Sequence, residues 1–274
     1  MLSLLFTRWC YMKGGDCDGA RPGKRVITPC DVRRARLRGF QRRVDRARRV
    51  IADAAARGQV GIAFSGGKDS TVLLHVVRSV IPNAPAAFYD SGCELPQTYD
   101  LVRQYGVTVI QPRMDLLAMC RYGGYWGYPD PTDADATFDF DEVLVKEPAR
   151  RFAAEYGLAV MALGLRAGES ARRALNAGQK GELYFAQYMN LWHLCPLAWW
   201  STDDIWAYIA AHDLPYNVAY DQMAAMGITR EQQRVCTLLG ADAASFGRFV
   251  FLRRVAPDLW NRLAAEFPAL RKYT

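Results

Sequence analysis

The sequence predicts an α/β protein, a parallel sheet with helices on both faces, preceded by a basic N-terminal arm and followed by C-terminal helices. Three observations carry this. Short apolar runs at Val60–Phe64, Ala86–Tyr89, Val107–Ile110 and Leu158–Leu163 have the length and composition of buried strands. The stretches Thr71–Val80, Gln97–Tyr105 and Glu142–Tyr156 between them read as helices, and such alternation is the signature of a parallel sheet. A Gly-Gly turn joins the first strand directly to the first helix. In such sheets ligands bind at the carboxyl ends of the strands, so chemistry is sought in the loop after each strand.

The 274 residues, 51% hydrophobic and 23% charged, have the balance of a globular protein able to bury a core without disulfide staples. No stretch approaches the ~18 consecutive apolar residues of a membrane span, and Met1–Phe6 is too short for a signal-peptide apolar region. The expectation is a cytoplasmic protein without a membrane partner. Two regions are expected: 1–58, a basic arm with an amphipathic helix, and 59–274, the sheet domain with a C-terminal helical region.

The formal net charge of +7 is concentrated in one place. Residues 21–49 hold twelve Lys/Arg against Asp31 and Asp45, whereas residues 50–274 carry a net −3. Within this basic segment Thr28-Pro29-Cys30-Asp31 supplies a capping hydroxyl, a proline for the first helical position and a first-turn carboxylate. Leu37, Phe40, Val44, Ala47, Ile51 and Ala54 then form one apolar stripe, and Arg57-Gly58 supplies a stop. The expectation is one helix over 29–57, its arginines either solvated or facing the phosphates of a nucleic acid.

Residues 121–141, rich in Gly, Pro, Asp and aromatics, break the periodicity and read as a long loop, a lid or an inert insertion. The seven cysteines (10, 17, 30, 93, 120, 195, 236) stand singly, with no Cys-x-x-Cys, and the three histidines are far apart. No iron–sulfur cluster is expected.

The strongest signal is Ser65-Gly66-Gly67-Lys68-Asp69-Ser70-Thr71. It is not a Walker A loop, because Ile62 and Asp69 stand where that motif needs Gly and Ser/Thr. The physics is related. Two glycines let backbone approach a phosphate, a helix start offers free N–H groups and a positive dipole end, and Ser65, Ser70 and Lys68 add donors. Asp69 would repel phosphate unless a divalent cation lay between them, so magnesium is implied, with Asp69 as its candidate ligand.

This loop resembles the PP-loop of the adenine-nucleotide alpha-hydrolase superfamily. Two further segments narrow the resemblance to the phosphoadenosine phosphosulfate (PAPS) reductase family and its sulfate adenylyltransferase small-subunit relatives. Asp90-Ser91-Gly92 with Pro96-Gln97-Thr98 is similar to the family's segment after the second strand. Gly164-Leu165-Arg166-Ala167-Gly168-Glu169-Ser170-Ala171-Arg172-Arg173 is similar to its arginine-bearing segment after a later strand. The run Pro196–Ile209 and Leu214-Pro215-Tyr216-Asn217 is similar to its C-terminal helix region. The resemblance implies a Rossmann-like sheet and an adenine nucleotide, ATP or PAPS, at Ser65–Thr71, Asp90–Gly92, Gly164, Arg166, Glu169, Arg172 and Arg173. Lys68, Asp69 and Arg166 are the catalytic candidates.

Sulfonucleotide reductases use a cysteine in a C-terminal Glu-Cys-Gly-Leu-His-like tail to attack sulfur. Residues 267–274 hold no such tail, and Cys236, without a neighbouring histidine, reads as structural. The leading expectation is therefore an ATP- and magnesium-dependent enzyme that cleaves at the alpha phosphate, by adenylyl transfer or pyrophosphate release. A sulfonucleotide reductase, an accessory of a nucleic-acid sulfur-modification system, and a non-catalytic nucleotide-binding module are the alternatives. A homodimer is left open.

Overall fold

The computed structural model describes residues 25–236 and 246–273. The first 24 residues of the basic arm, with Cys10 and Cys17, lie outside the described residues. A short helix, α1 (Pro29–Ala35), and a long one, α2 (Arg38–Ala55), precede the sheet. The alternating core continues as β1 (Val60–Phe64), α3 (Lys68–Arg78), β2 (Ala86–Tyr89), α4 (Pro96–Tyr105), β3 (Thr108–Ile110) and α5 (Leu116–Tyr122). Next come a π turn at Glu142–Lys146, α6 (Glu147–Glu155), β4 (Val160–Ala162), α7 (Ala171–Lys180), β5 (Leu183–Ala186) and β6 (Leu191–Leu194). Helices α8 (Thr202–Ala211), α9 (Ala219–Ala225), α10 (Phe246–Val255) and α11 (Pro257–Glu266), with a closing 3-10 turn at Pro268–Tyr273, complete the described chain.

The strands form one sheet in the order β3-β2-β1-β4-β6-β5, parallel throughout except for β5, which pairs antiparallel with β6. Alternation along the strands sorts side chains onto two faces. Ile62, Phe64, Phe88, Val160 and Ala162 join α2, α3, α4 and α8 in the larger core, while Ala87, Met161 and Ala186 pack with Phe152 of α6 on the other. Strand order reverses between β1 and β4, so the loops after these two strands open onto one crevice, the place where such sheets bind ligands.

The single helix expected over 29–57 is two helices. The chain breaks at Arg36-Leu37, where Leu37 adopts an extended conformation and caps α2, and it is exposed rather than on the apolar stripe. The physical reason lies in α8. Arg34 of α1 (2.8 Å) and Arg43 of α2 (3.1 Å) both reach the same oxygen of buried Asp204, which one straight helix would not deliver. Against burial, which would raise it, hydrogen bonds from Arg34 and Ser201 hold the Asp204 carboxyl below its usual range. Arg46 reaches Glu182 at 2.7 Å, so part of the basic arm is spent on fastening it to the sheet domain.

The 121–141 stretch is irregular apart from the end of α5 and a turn at Tyr125–Gly127. Its aromatics are packed: Tyr125, Phe138 and Phe140 cluster, and Trp126 meets Phe267 edge-on at 5.5 Å. The expected helix over 142–156 begins as a π turn before α6.

Candidate functional site

Strand β1 delivers the chain to Ser65-Gly66-Gly67, and α3 begins at Lys68 with Gly67 as its cap. Gly66 sits at φ +68, and a Cβ there would lie 2.7 Å from Cγ2 of fully buried Thr98, so glycine is required on two counts. The loop is internally braced. The Ser65 amide (3.1 Å) and hydroxyl (3.1 Å) both bond the Ser70 hydroxyl, which donates to the Gly67 carbonyl at 3.0 Å. Asn217 donates to Thr98 Oγ1 at 2.9 Å, and the Tyr220 hydroxyl accepts the Lys68 amide at 3.1 Å. Thr71 is fully buried, its hydroxyl lacking a hydrogen-bond partner.

The neighbouring loop after β4 completes the crevice. A Cβ on Gly164 would stand 3.2 Å from the Ser70 amide nitrogen, so this glycine lets the 164–169 loop lie against the first turn of α3. Arg166 is thereby brought onto Asp69: its Nε lies 2.5 Å from Oδ1, while Lys68 Nζ lies 3.1 Å from Oδ2. Lys68 is 1% exposed and Arg166 3%. The result is a buried group of two cations and one anion beside a helix N-terminus. Burial pushes the Lys68 ammonium below its ordinary value, Arg166 and Arg234 push the same way, and Asp69 opposes them.

Of the other expected residues, Asp90 is held by the Gly92 amide (2.9 Å), the Tyr99 hydroxyl (2.7 Å) and Gln111 Nε2 (2.9 Å), at the end of β2, the strand beside β1 and its 65–71 loop. The Ser91 hydroxyl donates to Glu94 at 2.7 Å, and burial raises the Glu94 carboxyl to about 7. Glu169 accepts the Arg166 amide at 3.0 Å and pairs with Arg173. Arg172 and Arg173 lie on α7, exposed and outside the buried cluster.

This geometry leaves magnesium no protein ligand set. Both Asp69 oxygens are committed to cations, and among the described residues no group of three His, Cys, Asp or Glu side chains could hold a metal ion. The residues present do not form a protein-held magnesium site, and no step of the chemistry proposed for the chain passes through one.

Sequence reasoning does not single out the side chains that brace the loop from elsewhere: Thr98 and Asn217 stand only within family-like segments, Cys236 reads as structural, and Tyr220, Arg230, Arg234 and Val235 carry no signal. The 228–236 segment comes against the loop. Val235 Cγ2 stands 3.6 Å from where a Gly67 Cβ would be, and Arg234 is close enough to depress Lys68. Arg230 fastens the segment to Asp31 (2.6 Å) and Asp203 (3.2 Å). Half-buried Cys236 comes directly after. The Thr237-Leu238-Leu239 run beyond it lies outside the described residues.

A Gly-Gly turn opening a helix at the switch point of a mostly parallel sheet defines a nucleotide-handling α/β protein of the PP-loop class. Residues 59–240 match the sequence model of the phosphoadenosine phosphosulfate reductase domain, and the chain belongs to that family. It is 28% identical over 172 residues to adenosine 5'-phosphosulfate reductase 2 of Bacillus subtilis, a match covering 58% of this chain and 66% of that protein. It is also 28% identical over 170 residues to the phosphoadenosine 5'-phosphosulfate reductase of Xylella fastidiosa, covering 59% and 67% respectively. The match thus spans about two thirds of the length of these relatives. The crystal structure of a PAPS reductase from Candida auris, a phosphate complex, superposes with a TM-score of 0.50 at 20% identity, over 67% of this chain and 90% of that one. It has the same fold.

Proposed function

We propose that the chain binds a sulfated adenine nucleotide at the 65–71 loop and transfers its sulfonate to Cys236. One observation carries this reading: the chain just before Cys236 comes against the phosphate loop, with Val235 Cγ2 3.6 Å from a Gly67 Cβ position, in the same crevice as the buried Lys68–Asp69–Arg166 cluster. The lack of a neighbouring histidine sets Cys236 aside in the sequence, whereas the fold brings the two residues just before it, Arg234 and Val235, to the loop that carries Lys68. The thiolate of Cys236 is the attacking species in this reading.

In the proposed step the Cys236 thiol gives its proton to solvent and the thiolate attacks sulfur, forming a sulfur–sulfur bond. The bond from sulfur to the bridging oxygen breaks, and its electron pair leaves on the nucleotide phosphate. Lys68, Arg166 and the amides at the start of α3 neutralise that charge, which is catalysis by fixed donors. A dithiol then attacks the thiol sulfur of the adduct, is oxidised to its disulfide, and releases sulfite. Asp69 holds the two cations in register before substrate arrives.

The test is incubation with adenosine phosphosulfate or PAPS and dithiothreitol, with sulfite and nucleotide products quantified, beside an arm containing ATP and magnesium. Sulfite together with AMP or adenosine bisphosphate is expected. Conversion of ATP to AMP and pyrophosphate, with both sulfonucleotides left intact, would replace this reading with cleavage at the alpha phosphate.

A further inference from the structure

The β5–β6 edge of the sheet, far along the strand order from the nucleotide site, carries a surface that the proposed chemistry does not use. β5 is the outermost strand, and Phe185 on it is 45% exposed. Phe185 pairs across the ladder with Trp192 of β6, their rings meeting edge-on at 5.6 Å. The Arg57 guanidinium caps Trp192 at 4.2 Å from the ring centroid. An aromatic platform with a cation on it is thus presented to solvent at the end of α2.

The flank of α2 that faces this edge is fixed by two contacts, Arg57 on Trp192 and Arg46 on Glu182, which immediately precedes β5. At 100° per residue, Arg42 and Arg49 lie within about 60° of Arg46, on the outward side of the helix opposite the buried stripe of Phe40, Val44, Ala47, Ile51 and Ala54. Both are exposed and make no ion pair with any described residue. Arg38 lies on this side too, and Asp45 and Asp53 are its acidic members, leaving the flank net positive. An arginine row that fastens itself needs no further partner, as Arg34 and Arg43 show. Arg42 and Arg49 have no such employment, and they lie along a helix that ends at an exposed aromatic pair.

We infer that this edge binds single-stranded nucleic acid, with Arg42 and Arg49 on phosphates and a base stacked on Phe185. Cations in a row beside an exposed ring are the two components of sequence-tolerant single-strand recognition: the phosphates supply affinity that falls with salt, and any base can stack. A duplex uses the first component and leaves the ring idle, because its bases are already stacked.

The experiment is fluorescence anisotropy with the full chain and labelled mixed-sequence DNA and RNA strands of about 16 nucleotides, each also as a duplex, over a salt series. Single strands are expected to bind more tightly than duplex. Arg42→Gln with Arg49→Gln should flatten the slope of log affinity against log salt by about 1.4. Phe185→Ala should weaken single-strand binding roughly tenfold while leaving that slope unchanged. Affinity for the sulfonucleotide, measured in parallel, should stay at its original value in every variant, which separates loss of this surface from loss of the fold or of the nucleotide site. No binding at low salt would overturn the inference. So would a preference for duplex with Phe185→Ala neutral, or a Phe185→Ala change in sedimentation without nucleic acid, which would assign the patch to a second copy of the chain.

Discussion

Replacing Asp69 with Asn tests whether this carboxylate is the counter-charge that holds the site together before substrate binds. The side chain accepts from Arg166 at 2.5 Å and pairs with Lys68 at 3.1 Å, and both cations are almost fully buried. Removing one partner of a buried ion pair costs ~3–5 kcal/mol because the charge left behind is uncompensated. Asn keeps one hydrogen-bond acceptor and the site is not sealed from solvent, so the lower end, about 3 kcal/mol, is expected. With a urea slope of ~3 kcal/mol/M for a chain of this size, the midpoint should fall by about 1 M. Sulfonucleotide supplies the missing negative charge, so it should stabilise Asp69→Asn more than it stabilises the original chain. The assay is urea unfolding of both proteins with and without ligand. An unchanged midpoint, or a variant that ligand no longer stabilises, would refute the reasoning and point to Asp69 acting directly on substrate or metal.

Three further outcomes are expected. Burial raises the Glu94 carboxyl from 4.5 to about 7, so the folded state binds the proton more tightly than the unfolded chain. Its contribution is complete below pH 4.5 and is lost as pH rises to about 7. That loss is about 3 kcal/mol, and Glu94→Gln should remove this part of the pH dependence in unfolding curves taken across the range. Gly66→Ala meets both a positive φ and Thr98 Cγ2 at 2.7 Å. It should cost about 2 kcal/mol or more and abolish nucleotide binding in calorimetric titration. Tyr220→Phe removes the oxygen that accepts the Lys68 amide. A thermal unfolding series should show a loss of ~1–3 kcal/mol, largely offset by a ligand phosphate at the same amide.

The apolar runs at Val60–Phe64 and Ala86–Tyr89 are strands at those bounds, and β3 and β4 fall within their predicted segments. Such runs are legible because a strand buried on both faces has nothing but apolar residues to show. The phosphate loop is legible for a related reason: its chemistry is packed into seven consecutive residues. The β5–β6 hairpin was not, since its runs are only four residues long, His193 interrupts one of them, and the pairing depends on the edge of a sheet already formed. The break between α1 and α2 has no local signal either, because it answers to Asp204 about 170 residues away. Arg43 and Arg46 show the same limit. Charge counting marks them as free for a partner, whereas the fold joins them to Asp204 and Glu182. Tyr220, Asn217 and Val235 reach the loop only through tertiary packing, and the proposed role of Cys236 depends on that packing.

The most direct measurement is the covalent state of Cys236 after exposure to sulfonucleotide without reductant. The full chain is mixed with adenosine phosphosulfate or PAPS, quenched, digested and analysed by mass spectrometry. Sulfonate transfer predicts one sulfonate group on the peptide carrying Cys236 and an equal amount of released nucleotide, with no adduct in Cys236→Ser and a much reduced yield in Lys68→Ala. An unmodified Cys236 beside intact sulfonucleotide that is nevertheless bound to the chain would contradict it, leaving the loop a nucleotide site whose chemistry lies elsewhere.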